Sequence, residues 1–177
     1  MQGNAEFDPL GFAELFEPKW LRESEIKHGR VAMLAVSGWL FQSFGYHLPG
    51  DLYTTSNPID AFFAVGWSPM AQIVTGLGVL EYMNHNGKMS MVDMHEDGDR
   101  VVGEFTNPIY GAKMLKNKSP EFIADKKLKE LQNGRLAMIA IGGMVHHTII
   151  AGCDTFGTFP NPALWQGLAV NIPNLYH

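Results

Sequence analysis

Residues 25–39 read E-I-K-H-G-R-V-A-M-L-A-V-S-G-W, and 105 positions later residues 130–144 read E-L-Q-N-G-R-L-A-M-I-A-I-G-G-M. Glu, Gly, Arg, Ala, Met, Ala and Gly recur at the same offsets, and most other positions exchange one aliphatic residue for another. A duplicated helical segment predicts a pseudo-two-fold pair of helices. Within each copy Glu and Arg are separated by about 140° round a helix of 3.6 residues per turn, too far for a good ion pair along one helix. Each charge must then find its partner across the local axis, Glu25 with Arg135 and Glu130 with Arg30. The repeat reads as two helices locked by two reciprocal ion pairs.

Working outward, the 177 residues are enough for a single domain, read as 1–177, with a mildly acidic net charge of −5 that argues for no nucleic-acid partner. The 13 Lys and Arg fall in two zones: Lys19, Arg22, Lys27 and Arg30, then Lys88 through Arg135. None lies between Val31 and Gly87, and none follows Arg135. A soluble helical protein scatters its bases, whereas alternation of basic and base-free segments is what a three-span membrane topology produces. The fold expected is therefore all-α with three transmembrane helices at about 22–46, 67–84 and 128–152. The N-terminus and the 85–127 loop share one side. Trp20 and Tyr46 bracket the first span, and Trp67 and Tyr82 the second, as interfacial aromatics do. Cys153 stands alone, which rules out an intrachain disulfide and a cysteine-built metal site. The first fifteen residues hold three acids and no Arg, unlike a transit peptide, so any targeting segment is expected to lie outside this chain.

Polar groups within membrane spans are costly and point to function. Glu25 and His28 share a helix face, and Glu130 and Asn133 repeat that geometry. Fourteen residues beyond Asn133 the azimuth returns at His147, with His146 about 100° away; the same step from His28 lands on Gln42. In the middle span Gln72 and Glu81 address opposite sides of the helix. These are single Lewis bases spread over outer faces. A protein-built metal site needs several ligands around one ion, but a metal already held in a macrocycle needs one axial ligand. The pattern suits many porphyrin-like pigments.

These residues carry a resemblance. E-x-x-H-G-R-V-A-M-L-A and E-L-Q-N-G-R-L-A-M-I-A resemble the first and third membrane helices of the chlorophyll-binding light-harvesting antenna superfamily, and F-D-P-L-G at 7–11 resembles its N-terminal motif. The spelling H-G-R-V-A-M-L-A, with A-Q-I-V-x-x-x-G-V-L-E in the middle span, looks like the red-lineage chlorophyll a/c branch, that of the fucoxanthin-chlorophyll proteins. The resemblance implies that Glu25, His28, Glu130 and Asn133 ligate chlorophyll magnesium, that Arg30 and Arg135 complete the cross-pairs, and that Gln72 and Glu81 serve the middle helix. His147 falls where the family commonly has Gln or His; Gln42 and His146 are weaker candidates. It implies chlorophyll a, chlorophyll c and carotenoids of fucoxanthin-like or peridinin-like type. It also implies a plastid thylakoid location with the N-terminus and the 85–127 loop on the stromal side. Thylakoid lipids, a photosystem core (photosystem I favoured) and neighbouring antenna subunits are the implied partners. A short amphipathic C-terminal helix, here over 161–170 and without a His, is a family feature as well.

Duller explanations compete. The Glu and Arg could be structural ion pairs alone, Gln72 an interhelical hydrogen bonder, and Glu81 a solvated terminal charge. His47, just past the first span, reads as a loop residue. Residues 93–104 nearly fit a twelve-residue calcium loop, but His95 takes the third position and Pro108 follows, so a solvated acidic turn is the better reading. E-x-x-H is also a di-iron carboxylate signature; the second copy carries Asn133 instead of His, and the ligand count fails. A scaffold without enzyme activity is expected. Whether it harvests or dissipates excitation does not follow from ligand residues; harvesting is expected.

Overall fold

The computed structural model describes residues 3, 8–44, 46, 48–50, 53–55, 57–85, 87–88, 90–96, 101–103 and 118–151. Among them are six helices and no strand: α1 (Phe12–Leu15), α2 (Pro18–Ser43), α3 (Pro58–Val65), α4 (Trp67–Asn84), α5 (Met91–Glu96) and α6 (Pro120–Ala151). The three long helices fall on the three expected segments, with α2 ending at Ser43 where the expected span runs to 46. Residues 161–170, expected to form a terminal helix, and His47 lie outside the described residues.

α2 and α6 begin earlier than the expected spans because their starts are set by helix chemistry, not by hydropathy. Pro18 occupies the first turn of α2, where its fixed φ and missing N–H cost nothing. Pro120 opens α6, and Ser119 Oγ accepts from the Phe122 N–H at 3.3 Å. Asp8 does the same for α1: its two carboxylate oxygens accept from the N–H groups of Phe12 (3.0 Å) and Ala13 (2.8 Å). Phe12, Phe16 and Trp20 then form a tilted aromatic series with 6.2 Å between successive rings, leading from α1 into α2.

The main packing is between α2 and α6. They cross where Gly29 meets Gly134: a Cβ on Gly29 would stand 2.9 Å from the Gly134 Cα, and one on Gly134 3.0 Å from the Gly29 Cα. Backbone lies against backbone, so glycine is required on both sides. The 105-residue offset organises much of the rest. Ala32 and Ala137 are both buried, and so are Ser43 and Thr148, whose hydroxyls both lack a partner among the described residues. Gly3 packs on Leu128 and Leu131 while Gly103 packs on Ile26, the counterpart of Leu131, so loop segments dock on matching faces of the two helices.

α3 was not foreseen. Asn57 caps it by accepting from the Ile59 N–H at 3.0 Å, with Pro58 in its first turn. Gly66, at φ 80°, then turns the chain by 96° into α4. The acidic turn is partly helical: Ser90 and Asp93 cap α5 reciprocally, Ser90 N–H to Asp93 Oδ2 at 2.8 Å and Asp93 N–H to Ser90 Oγ at 3.2 Å.

Apolar side chains point outward. Four hydrophobic residues are buried among the described residues, Ala32, Trp39, Leu131 and Ala137, against 27 large hydrophobics that are exposed; the buried set instead includes Glu23, Ser43, Asn84, His85 and Thr148. This inverts the pattern of a water-soluble domain. No single described helix is long and apolar enough to cross a membrane by the usual hydropathy measure, although the bent pair α3 and α4 is, by length and composition. The reason lies in α2 and α6 themselves: their charge-free stretches, 31–43 and 136–151, are 13 and 16 residues long, and the paired charges occupy the remainder.

Candidate functional site

Both cross-pairs are present. Arg30 Nε donates to Glu130 Oε1 at 2.6 Å and Arg135 Nε to Glu25 Oε1 at 2.6 Å, one on each side of the glycine crossing. The carboxylates are about one-quarter to one-third exposed. Each is neutralised without being withdrawn from the surface. The symmetry is broken by Arg22, whose guanidinium reaches Glu25 Oε2 at 2.8 Å within the same helix. The repeat alone leaves one oxygen of each glutamate open; on Glu25 both accept from arginine, and a remaining lone pair would have to serve any metal. Arg30 also holds a loop: its Nη2 donates to the Gly103 carbonyl at 2.9 Å, while the Gly103 N–H donates to Glu23 Oε2 at 3.0 Å.

His28 and Asn133 are exposed and share one device. His28 Nδ1 lies 2.8 Å from the Ser24 carbonyl. A carbonyl can only accept, so Nδ1 carries the proton and Nε2 presents its lone pair outward. Asn133 Nδ2 donates to the Lys129 carbonyl at 2.8 Å, leaving Oδ1 outward. Ser24 and Lys129 are themselves related by the repeat offset. In both halves a backbone carbonyl one turn back fixes the side chain and leaves one donor atom for a ligand, which is how axial ligands are oriented.

The two donors of α4 differ from each other. Gln72 is exposed and helps line an open groove of about 540 Å³ with Trp67, Ser68, Ala71 and Thr75. Glu81 is partly solvated but not isolated: Lys27 Nζ binds its Oε2 at 2.5 Å and also contacts His85 Nε2 at 2.7 Å, and Glu23 Oε1 lies 3.5 Å from Lys27 and 3.6 Å from His85. His85 and Glu23 are buried, and Lys27 and Glu81 are partly exposed. This four-residue cluster joins α4 to α2. Sequence reasoning missed it because pairing across helices depends on where α4 lies, although Glu23 and Lys27 at i, i+4 were a visible signal.

At the far end of the pair, Gln42 Nε2 donates to the Thr55 carbonyl at 2.8 Å, so its Oε1 remains for a ligand. Gln42 helps line a cavity of about 410 Å³ with Phe41, Tyr46, Tyr53 and Phe62. His147 is half-buried, whereas His146 is exposed with Nδ1 3.0 Å from the Gly142 carbonyl. No group of three or more His, Cys, Asp or Glu among the described residues could hold a free metal ion. His28, Asn133 and Gln42 instead fit a metal that brings its own equatorial ligands, since each is fixed by a bond to a backbone carbonyl, leaves one donor atom and stands apart from the others.

The model of the chlorophyll A-B binding protein family matches residues 1–149. A fucoxanthin-chlorophyll a-c binding protein of Chattonella marina var. antiqua is 36% identical over 164 residues, covering 90% of this chain and 71% of that protein. Fucoxanthin-chlorophyll a-c binding protein E of Phaeodactylum tricornutum is 35% identical, covering 80% and 72%. Light-harvesting complex stress-related protein 1 of Chlamydomonas reinhardtii is 32% identical, covering 85% and 62%. With the duplicated helix pair and its lone oriented donors, these matches establish that the chain belongs to the chlorophyll A-B binding family of light-harvesting proteins, in its red-lineage branch, as a pigment-binding scaffold and not an enzyme.

Proposed function

We propose that this protein is an antenna subunit of the plastid thylakoid membrane that holds chlorophyll a, chlorophyll c and a fucoxanthin-like xanthophyll and passes excitation to a photosystem core, photosystem I first, and to neighbouring antenna subunits. Residues 1–177 act as one pigment-binding domain whose three long helices cross the bilayer. The basic N-terminal side and the 85–127 loop face the stroma, as the distribution of Lys and Arg favours. The bilayer lipids and the pigments cover the outward apolar side chains and lie beside the paired charges, which as unpaired ions would be costly there.

The chlorophyll magnesium ligands in this reading are Glu25, His28, Gln72, Glu81, Glu130, Asn133 and His147, with Gln42 as a further donor. Arg135 and Arg30 neutralise the first and fifth of these. Chlorophyll supplies the chromophore and its metal; the protein supplies fixed positions, and stiff positions mean stiff distances for energy transfer. The observation that carries the reading is the matched pair His28 to Ser24 and Asn133 to Lys129, two side chains held so that one ligand atom each faces outward. The test is pigment counting in complexes refolded with a chlorophyll and carotenoid extract. His28→Leu and Asn133→Leu are each expected to lose about one chlorophyll per protein; a full complement in both variants would overturn the assignment.

A second role within the same family is supported by the 32% identity to stress-related light-harvesting proteins: dissipation of excitation. Fluorescence lifetime separates the two. A long lifetime that is insensitive to acidification is expected for harvesting, and strong acid quenching would assign dissipation.

A further inference from the structure

The geometry points to a chlorophyll site at His146, separate from the one assigned to His147. This rests on the pigment-binding reading above and extends its ligand set to another face of α6.

Three observations converge. First, His146 repeats the device of His28 and Asn133: Nδ1 sits 3.0 Å from the carbonyl of the residue four positions back, Gly142, so Nδ1 is the donor and Nε2 offers its lone pair outward. Among the described residues Nε2 has no protein partner, and the residue is exposed. Second, the surface around it is built for a flat apolar ring. Ile139, Gly142, Gly143, Ile149 and Ile150 all lie within about 60° of His146 in azimuth. The three isoleucines are 76%, 66% and 81% exposed, and a Cβ at either glycine would meet nothing within 4 Å. The glycines leave a notch beside the imidazole, flanked by branched aliphatic side chains. Third, this face is turned away from the protein. Ala137 and Thr148, the buried residues of this part of α6, project from the opposite side of the helix.

One outward imidazole nitrogen on an otherwise apolar, glycine-notched strip selects for a ligand that is flat, largely apolar and short of one axial donor. A magnesium tetrapyrrole has that description. His147 leaves the helix about 100° away, so the two neighbouring histidines address two different rings. The repeat does not supply a counterpart, because the position related to His146 is Phe41. The site is a feature of one half of the molecule.

The test is chlorophyll stoichiometry and red-region circular dichroism of complexes refolded with extracted pigments. His146→Leu is expected to lose about one chlorophyll per protein, His147→Leu a spectrally different one, and the double variant both. His146→Asn can make the same bond to Gly142 and present an amide oxygen as Asn133 does, so it is expected to keep the full complement and shift one band. A full complement in His146→Leu, or a His146→Asn spectrum superimposable on that of the parent protein, would overturn the site. If His28→Leu and Asn133→Leu also lose nothing, the pigment assignment as a whole fails; if they lose chlorophyll and His146→Leu does not, only this inference falls.

Discussion

α2 and α6 are copies of one segment, yet they depart from each other at the two positions where α2 holds α4. Glu23 and Lys27 correspond by the offset to Leu128 and Gln132. Glu23 and Lys27 complete the cluster with Glu81 and His85, whereas the apolar and neutral residues of α6 can build no such hold. Gly29 and Gly134, with Arg30 and Arg135, are identical in the two copies and serve the crossing and its ion pairs, and His28 and Asn133, unlike in kind, serve equivalently as outward donors. Duplication supplies the symmetric scaffold, and a few unpaired substitutions decide on which side the third helix attaches.

The largest expected effect tests the symmetric part. Gly29→Ala and Gly134→Ala each place a carbon about 3 Å from the opposite backbone, and each should cost about 3 kcal/mol, at the upper end of overpacking. Thermal loss of visible circular dichroism measures it, and the two variants should suffer equally. Unequal losses would break the two-fold description.

The ion pairs sharpen it. Arg30→Leu deprives Glu130 of its guanidinium and also releases Gly103, whereas Arg135→Leu leaves Glu25 with Arg22. We expect a loss on the order of 2 kcal/mol for Arg30→Leu and about half that for Arg135→Leu, below the figures for fully buried pairs because these are partly exposed. Adding Glu130→Gln to Arg30→Leu should recover part of the loss, since no charge is then stranded; a further drop in melting temperature would refute the pair.

The asymmetric part predicts a smaller difference. Lys27→Met should loosen α4 by roughly 1 kcal/mol, seen as faster amide exchange across residues 67–84, while Gln132→Met should stay within about 0.5 kcal/mol of the parent protein. Equal exchange in the two would mean that the cluster does not hold α4.

The smallest effect is at the N-terminal motif. The Ala13 N–H above all, with those of Phe12, Gly11 and Leu10, holds the Asp8 carboxyl below its ordinary range against the opposing effect of burial. A lowered carboxyl stabilises above its unfolded value and stops doing so as the pH falls through the folded one. Protection of the α1 amides should therefore persist at neutral pH and fade in acid. In Asp8→Asn that acid dependence should vanish, which amide exchange between about pH 7 and 3 would show.

The repeat, the cross-pairs and the outward faces of His28 and Asn133 were legible in the sequence because they follow from offset and helical azimuth alone. α4 begins and ends at the expected residues, 67 and 84, where Gly66 and the polar run after Tyr82 punctuate it. α2 and α6 start four and eight residues before their expected spans, since hydropathy reports where charges stop and caps decide where helices begin. α3 went unread because eight mostly apolar residues look like part of a neighbouring span unless Asn57, Pro58 and Gly66 are taken as its limits. The Lys27 cluster and the second arginine on Glu25 were hidden for different reasons. The first depends on tertiary placement, and the second on an i, i+3 contact from outside the repeated motif.

The glycine contact also makes the helix pair a lever. Along α6 the fulcrum at Gly134 lies about 20 Å from His147 at 1.5 Å of rise per residue, so a turn of only five degrees there would carry the remote end through roughly 1.7 Å. Any pigments borne by the distal arms would thus have their spacing tuned by the stiffness of one residue-wide hinge. The two charged clasps flanking that hinge are its set screws.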